Sequence, residues 1–331
     1  MGNTFRPVDV VREYCSKFPT APSKTLARRI IKDHPRLYAN LDCCYYAVQR
    51  VFGVAGERSR KSKSTEAKAL RRPKRSAGWK FPEGLSHHKD WGPAVVAGSQ
   101  ICLVLSDVHA PWHNLKALTA SVQYGKDEKA NLVVLNGDIW DCYIGSKYQT
   151  DPRKRDIMNE RNVVCDILSN IRRAFPRARI IFKQGNHEER WYKWICGANP
   201  DLLHLPELSL ESFLRLKDFK IEAVPDRRQI QVGDYSIIHG HEHGGMFGHS
   251  VSPARTYWGK TLCNTIVGHT HRITTHSAIG MGRVDTVHST GCLSDIYPDW
   301  MPHNMWEHGF ATLHVAKSGK TAANNIRNSD L

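Results

Sequence analysis

Hydrophobic positions in the first 56 residues recur at helical spacing in three short stretches. The apolar stripes are Val8, Val11 and Cys15 in the first stretch, Leu26, Ile30 and Ile31 in the second, and Leu41, Tyr45, Val48 and Phe52 in the third. Pro7 suits a first helical position, and Ser23 and Asn40 are residue types that cap helices. The pattern therefore predicts three amphipathic helices. With a tight second-to-third connection they indicate a helix-turn-helix, and a protein-interaction bundle is the alternative.

After residue 100 the pattern changes to short apolar runs that end in polar clusters. The runs are 101–105, 132–135, 180–182, 237–238 and 265–267, and each predicts a buried strand. Helical stripes separate the first three runs, with Leu115, Leu118 and Val122 in one and Val164, Ile167, Leu168 and Ile171 in the other. This β-α-β-α-β order predicts an α/β domain whose early strands are parallel.

Charge distinguishes the N-terminal region from the rest of the chain. Of a formal net charge of +15, residues 1–90 contribute 20 basic against 8 acidic side chains, a net +12. Residues 58–75 alone hold nine Lys or Arg with one acid, Glu66, which predicts a basic linker. Residues 76–98 contain Trp79, Phe81 and Trp91, which predict a strap that packs on the following domain. We predict that residues 1–90 contact a polyanion, nucleic acid.

Several protein classes are excluded by composition. No apolar run approaches the roughly 20 residues of a membrane helix, and Met1 to Arg6 contains no signal-peptide stretch. The nine cysteines are odd in number and form no C-x-x-C pair, which indicates reduced thiols and argues against a zinc finger. We expect a cytoplasmic protein without a membrane partner, and its oligomeric state stays unknown.

Potential metal ligands follow every one of the five predicted strands. They are Asp107 and His109, then Asp138, then Asn186 with His187, then His239, and finally His269 and His271. In an open α/β sheet, ligands bind beyond the carboxyl ends of the strands, so these clusters should converge on one rim. Carboxylate, amide oxygen and imidazole together favour manganese, iron or zinc. A single such residue is usually structural, whereas five clusters at five strand ends indicate a metal site.

These motifs, D-x-H at 107–109, G-D-x-x-D at 137–141, G-N-H-E at 185–188, H-G at 239–240 and G-H-x-H at 268–271, resemble the calcineurin-like metallophosphoesterase family. The resemblance covers roughly residues 100–315. It implies an α/β fold of two sheets in a sandwich flanked by helices (α/β/β/α), preceded here by the small all-α module. It also implies two divalent ions about 3.5–4 Å apart, with Mn²⁺ expected and Fe, Zn or Mg as alternatives.

The resemblance distributes the ligands over two metals. It implies that Asp107, His109 and His271 hold the first and that Asn186, His239 and His269 hold the second, with Asp138 bridging both. A water held between two cations loses a proton near neutral pH, which makes a bridging hydroxide the expected nucleophile. His187 has no metal role in this match and is free to protonate the leaving group. Asp141 matches the family carboxylate that orients this histidine.

Departures from the family pattern concern the substrate. Protein Ser/Thr phosphatases of this superfamily carry two phosphate-gripping arginines at the positions of Cys142 and Gln184, which argues against a phosphoprotein substrate. Arg190 is the nearest replacement cation, with a surface ion pair as the alternative interpretation. His241 is expected to be a substrate-facing or supporting group.

The combination of helical module and catalytic domain is similar to phage- and prophage-encoded members of the family, which would place the protein in a host cytoplasm. We predict a helical module at 1–56, a basic linker and strap at 57–99, a metallophosphoesterase domain at 100–316 and a tail at 317–331. The expected activity is that of a phosphodiesterase or nuclease. The alternatives are a phosphomonoesterase acting on protein or nucleotides, and a nucleic-acid-binding regulator with a secondary phosphoesterase domain.

Overall fold

A computed structural model describes residues 6–53, 56–57, 60, 91–148, 150–225, 227–244 and 250–330. The chain divides into two compact units, Met1–His87 and His88–Leu331. Most of the predicted basic linker lies outside the described residues, as do Trp79 and Phe81 of the predicted strap. Trp91, the third aromatic residue of that strap, is exposed.

Three helices make up the described part of the N-terminal unit: α1 (Pro7–Lys17), α2 (Ser23–Asp33) and α3 (Leu41–Phe52). Their predicted stripes meet in one core, in which Val11, Ile30 and Val48 are fully buried. Asn40 caps α3 as predicted, because its side chain accepts a hydrogen bond from the Cys43 N–H at 2.9 Å. Ser23 is not the cap of α2. Helical backbone already begins at that serine, and Pro22 occupies the cap position.

The connection between α2 and α3 is longer than a helix-turn-helix requires. Residues 34–40 separate the two helices, whereas the motif joins its helices by a turn of about 3–4 residues. The tight connection expected from the sequence is therefore not found. The three helices themselves are present, and a DNA-binding role for them stays a prediction.

Among its described residues the second unit forms two six-stranded sheets. The strands are β1 (Ala94–Val96), β2 (Gln100–Leu105), β3 (Leu132–Asn136), β4 (Arg179–Lys183), β5 (Glu222–Val224), β6 (Ile230–Val232), β7 (Tyr235–Ile238), β8 (Thr265–Val267), β9 (Thr274–Gly280), β10 (Arg283–Ser289), β11 (Gly309–Val315) and β12 (Thr321–Arg327). The first sheet has the order β12-β11-β2-β3-β4-β5, and the second has the order β1-β6-β7-β8-β10-β9. The predicted parallel pairing of β2, β3 and β4 is confirmed.

The two sheets pack face to face, and helices cover their outer faces. Because side chains alternate along a strand, Cys102 and Val104 face the second sheet while Leu103 and Leu105 face helices. The helices of this unit are α4 (Leu115–Asp127), α5 (Ile157–Ala174), α6 (Glu188–Ala198), α7 (Leu210–Phe213) and α8 (Pro253–Thr261). Helices α4 to α7 pack on the first sheet, and α8 packs on the second. The predicted α/β/β/α architecture is confirmed.

Short 3-10 turns complete the second unit, at Tyr143–Gly145, Pro152–Lys154, Pro200–His204, Pro206–Leu208, His241–His243 and Asn328–Asp330. Leu118 of the predicted apolar stripe of α4 is buried. Leu115 is exposed at the start of the helix, so its assignment to that stripe is wrong. The sheets also extend beyond the range 100–316, because β1 and β12 lie outside it. Within the described residues, no helix combines the length and apolar character needed to cross a membrane.

Candidate metal centre

The strand ends predicted to carry ligands converge, but they come from two sheets rather than from one open sheet. β2, β3 and β4 deliver their polar ends from the first sheet, and β7 and β8 deliver theirs from the second. Parallel strands present their carboxyl ends at the same edge, and these edges meet where the two sheets pack together. The residues brought together are Asp107, His109, Asp138, Asn186, His187, His239, His269 and His271.

Three overlapping groups of side chains offer their ligand atoms within 4.8 Å of one another. They are Asp107, His109 and His271, then His109, Asp138 and His187, and finally Asp138, His239 and His269. Asp138 Oδ2 lies 3.2 Å from His239 Nε2 and 3.8 Å from His109 Nε2. The carboxylate predicted to bridge therefore lies between the two predicted ligand sets. Asn186 completes the second set, with its Oδ1 atom 3.1 Å from His239 Nε2.

The donor atoms of this cluster suit divalent cations. Asp107 and Asp138 are buried carboxylates. Although burial opposes ionisation of Asp107, the hydrogen bond from His271 helps to hold the pKa of this carboxyl at about 2. Burial lowers the pKa of His269 to about 4, so its ring is neutral and keeps a lone pair for coordination. His109 Nε2 and His271 Nε2 face each other at 3.1 Å. Converging carboxylates and imidazole nitrogens in a closed site fit manganese, iron or zinc.

The backbone at the candidate ligands adopts a conformation that L-residues rarely occupy. Positive φ angles occur at Asp107 (56°), His109 (51°), Asp138 (52°), His269 (67°) and His271 (58°). A non-glycine residue in this region costs on the order of 1–3 kcal/mol and persists only where surrounding structure enforces it. Five such residues in one cluster indicate that the fold gives up stability to aim these side chains at a common point.

Glu188 fixes the turn that carries Asp138. One of its carboxylate oxygens accepts the N–H groups of Ile139 and Trp140, and the other accepts those of Asp138 and Gly185, all at 2.8–3.0 Å. The side chain is fully buried. Glu188 therefore joins the end of β3 to the end of β4, and it holds the Asp138 carboxylate in position without itself reaching the ligand cluster.

A second buried carboxylate fixes the turn that carries His239. Glu242 accepts hydrogen bonds from the N–H groups of His239 and Gly240, at 2.9 and 2.5 Å. Lys183 Nζ lies 2.7 Å from Glu242 Oε1, and its side chain is completely buried. The lysine also donates to the Arg228 carbonyl at 2.8 Å. This network connects the first sheet to the ligand-bearing turn of the second.

His187 and Asp141 are hydrogen-bonded at the edge of the cluster. His187 Nδ1 lies 2.9 Å from the Asp141 carbonyl oxygen and 3.0 Å from Asp141 Oδ1, and Oδ1 also lies 3.1 Å from His109 Nδ1. The carboxylate thus orients two imidazoles, one of which is a predicted ligand. Burial by itself would lower the pKa of His187, but the carboxylates of Asp138 and Asp141 raise it above its ordinary value. His187 Nε2 lies 3.7 Å from Asp138 Oδ2, so it faces the site.

The two predicted substrate-binding residues differ in their surroundings. Arg190 is next to the cluster, since its Nη2 atom lies 2.7 Å from His187 Nε2 and its Nη1 atom donates to the Asp141 carbonyl at 3.1 Å. His241 Nε2 instead lies 2.9 Å from Glu189 Oε1, in a largely buried position. Its side chain thus supports the Glu189 carboxylate, and substrate contact by either residue stays a prediction.

A sequence model of the calcineurin-like phosphoesterase family matches residues 102–273, which is just over half of the chain and includes all five motifs. This chain belongs to the calcineurin-like phosphoesterase family. Members of this family of metallophosphoesterases bind divalent metals and hydrolyse phosphoric esters, which agrees with the Asp and His groups brought together here. No curated protein matches the sequence.

The chain also matches solved structures, all of them distant in sequence. Vacuolar protein sorting 29 from Cryptosporidium parvum is 15% identical with a TM-score of 0.35, over 70% of this chain and 100% of its own. The phosphoesterase YfcE from E. coli is 14% identical with a TM-score of 0.32, over 69% of this chain and 100% of its own. TT1561 of Thermus thermophilus is 13% identical with a TM-score of 0.31, over the same shares. Membership of the phosphoesterase family rests on the sequence match.

Sequence reasoning missed the residues that hold the ligand turns. Glu188 lies within the G-N-H-E motif. Its partners are backbone N–H groups, which almost every residue has, so the sequence does not indicate these hydrogen bonds. Lys183 does leave a signal, because a lysine at the end of the apolar run 180–182 requires a buried partner. That partner, Glu242, lies 59 positions further along the chain and is identified only by the fold.

Proposed function

We propose that this member of the family is a dinuclear-metal phosphodiesterase that cleaves nucleic acid. The observation that carries the dinuclear part is the position of Asp138, whose carboxylate belongs to two of the three ligand groups. A carboxylate shared between two cations offsets their mutual repulsion. Asp107, His109 and His271 would hold one metal, and Asn186, His239 and His269 would hold the other, with Mn²⁺ the ion expected from these donors.

When bound, the two cations would polarise the phosphoryl oxygens and lower the pKa of a water held between them. The side chains around them supply the remaining chemistry. His187 presents Nε2 towards the site while Asp141 accepts from Nδ1, an arrangement that suits proton transfer to the departing alkoxide. Arg190 is close enough to His187 to place positive charge beside a bound phosphate.

Two neutral, buried residues support a diester substrate over a phosphoprotein. Cys142 and Gln184 stand where protein phosphatases of the superfamily carry their phosphate-gripping arginines, and both are buried. At positions 142 and 184, therefore, the site lacks the paired cations that would bind the extra charge of a phosphomonoester, and Arg190 is the described cation beside His187. A diester carries one negative charge fewer and needs less compensation. The alternative enzymatic activity is the hydrolysis of phosphomonoesters.

The N-terminal unit supports nucleic acid as the source of that diester. Lys24, Arg28 and Lys32 lie one turn apart on α2, and all three are exposed, as is the neighbouring Arg29. With the +12 charge of residues 1–90, this face can neutralise phosphates and deliver a polynucleotide to the catalytic unit. A phage or prophage origin of the protein is also part of this proposal.

A single comparison tests the proposed activity. Purified protein loaded with Mn²⁺ is assayed on bis-p-nitrophenyl phosphate, p-nitrophenyl phosphate, labelled DNA and labelled RNA, with metal content measured in parallel. We expect the diester to be hydrolysed faster than the monoester, and at least one polynucleotide to be cleaved. Faster monoester hydrolysis would favour the phosphatase alternative. Tight polynucleotide binding without cleavage would favour the nucleic-acid-binding regulator.

A further inference from the structure

Large aromatic side chains are exposed on the loops beside the candidate metal centre. Trp112 is 42% exposed, and Tyr297 and Trp300 are each 71% exposed. Tryptophan and tyrosine usually bury most of their ring surface, so several exposed rings on neighbouring loops mark a binding surface. None of the catalytic roles proposed above accounts for these three rings.

A line of aromatic contacts connects this surface to a candidate ligand. The Trp306 ring centroid lies 4.2 Å from that of His271, and the Trp300 ring centroid lies 5.4 Å from that of Trp306. Trp300 is thus the exposed end of a run of rings that begins at the metal centre. A base that stacks on Trp300 would therefore lie close to a phosphate held at the centre.

The other two rings adjoin the same edge of the site. The Trp112 N–H donates to the carbonyl of His109, a candidate ligand, at 2.7 Å. The Trp112 carbonyl accepts from the Asp295 N–H at 2.8 Å, and the Asp295 carboxylate accepts from the Tyr297 N–H at 3.0 Å. The loop that carries Tyr297 and Trp300 is therefore hydrogen-bonded to the loop that carries Trp112.

Two lysines lie beside exposed rings in this region. Lys154 Nζ lies 5.8 Å from the Trp112 ring centroid and 3.3 Å from Asp299 Oδ2, next to Trp300. Earlier in the connection that carries Lys154, Lys147 Nζ lies 5.1 Å from the ring centroid of Tyr148, which is also exposed. Rings interleaved with lysines match the two surfaces of a nucleic acid strand, because bases stack on the rings while phosphates attract the ammonium groups.

We infer that Trp112, Tyr297 and Trp300 form an aromatic platform on which unpaired bases of a single-stranded nucleic acid stack while the adjacent phosphodiester is cleaved. Stacking requires free base faces, which a duplex hides, so the platform selects single strands or unpaired ends. Stacking on rings is also tolerant of base identity, so little sequence preference is expected. This inference rests on the proposed nuclease function and adds to it the form of the substrate.

The test compares Trp300→Ala and Trp112→Ala with the wild type on a short single-stranded oligothymidylate and on bis-p-nitrophenyl phosphate, which is too small to span the platform. We expect kcat/KM on the oligonucleotide to fall by about 5- to 150-fold more than on the small diester, mainly through KM. Trp300→Tyr, which keeps a ring, should recover most of that loss. The wild type should cleave the single strand faster than the same sequence in a blunt duplex.

The matched control is Trp194→Ala on α6, where a partly exposed tryptophan stacks on Trp191 rather than on the site loops. This variant should leave the ratio between the two substrates unchanged. If Trp300→Ala and Trp112→Ala lower both activities equally, the platform is overturned while the nuclease function stands. If the wild type hydrolyses bis-p-nitrophenyl phosphate but cleaves no polynucleotide, the nucleic-acid substrate itself is contradicted, and the platform with it.

Discussion

Lys183 and Glu242 form a buried ion pair, with 2.7 Å between Nζ and Oε1, that joins the end of β4 to the turn carrying His239. Removing two charges from water costs several kcal/mol per ion, and the pair offsets that cost only with good geometry and additional hydrogen bonds. Both conditions hold here, since Glu242 also accepts two backbone N–H groups and Lys183 donates to a backbone carbonyl.

Replacing the lysine of this pair should damage both stability and metal binding. We expect Lys183→Met to lower the free energy of unfolding in urea by about 3–5 kcal/mol, because it leaves Glu242 charged and without its buried partner. Metal affinity should fall by about 10- to 100-fold as the His239 turn loosens. The double variant Lys183→Met with Glu242→Gln should recover part of the stability. Equal stability of wild type and Lys183→Met would show that the pair holds nothing in place.

His187 should act on turnover rather than on metal content. His187→Ala is expected to retain its metals and to lose about 10²–10⁴-fold in kcat on an alkyl phosphodiester, the loss typical of a missing general acid. On bis-p-nitrophenyl phosphate the loss should be much smaller, because its leaving group departs without a proton. His314→Ala, which alters a histidine paired with Glu128 away from the site, is the control. Equal losses of His187→Ala on both esters would rule out this acid.

Glu160 should make folding less favourable as pH rises. Burial raises its pKa to about 7 in the folded protein, where one carboxylate oxygen accepts from Trp140 Nε1 and the Tyr143 N–H. Between its ordinary pKa of about 4.5 and this value, the folded state keeps a proton that the unfolded state loses, so stability falls with rising pH. Glu160→Gln cannot ionise. Its stability relative to wild type should therefore increase from about pH 4.5 to about pH 7 and then level off, as measured by urea unfolding. A difference independent of pH would contradict the raised pKa.

The exposed cations of α2 should control the salt dependence of polynucleotide binding. Replacing Lys24, Arg28 and Lys32 by glutamine should flatten the log–log plot of affinity against salt by about 0.7–0.9 for each phosphate that the protein no longer neutralises. Activity on bis-p-nitrophenyl phosphate should stay the same, because these residues lie in the other unit. The matched control neutralises three exposed lysines of the catalytic unit, Lys116, Lys126 and Lys129. Identical slopes of affinity against salt for the two triple variants would show that α2 does not bind the polynucleotide substrate.

The parts of the fold that the sequence predicts are those with a strong local pattern. The apolar runs of β2 to β4, β7 and β8 are buried along their length, so five strands and the fold class were predictable. The hairpin of β9 and β10 was not, because β9 is largely exposed and mixes threonine, histidine and serine. β1 and β12 are edge strands, and only pairing with a distant neighbour identifies them.

The candidate site shows the same division. Its ligand types and their order along the chain are visible in the sequence, whereas their mutual distances depend on how two sheets pack. Gly185 illustrates the gap, because a side chain at this position would collide with Asp138 from the neighbouring strand end. The sequence shows that the motif contains a glycine, but only the structure shows why a larger residue would not fit there. The role of Asp141 is similar, since only the structure shows its carboxylate in contact with both His187 and His109.

The most direct test of the dinuclear centre is the metal content and activity of Asp138→Asn. This change keeps the size of the side chain while it removes the charge shared by two ligand groups. Asp285→Asn, at a buried aspartate paired with Arg283 on β10, is the matched control and should keep both metals and full activity. We predict two metal ions per chain in the wild type, and at most one in Asp138→Asn with hydrolysis of bis-p-nitrophenyl phosphate reduced at least about 10²-fold. One metal ion per fully active wild-type chain, or undiminished activity in Asp138→Asn, would contradict the two-metal account.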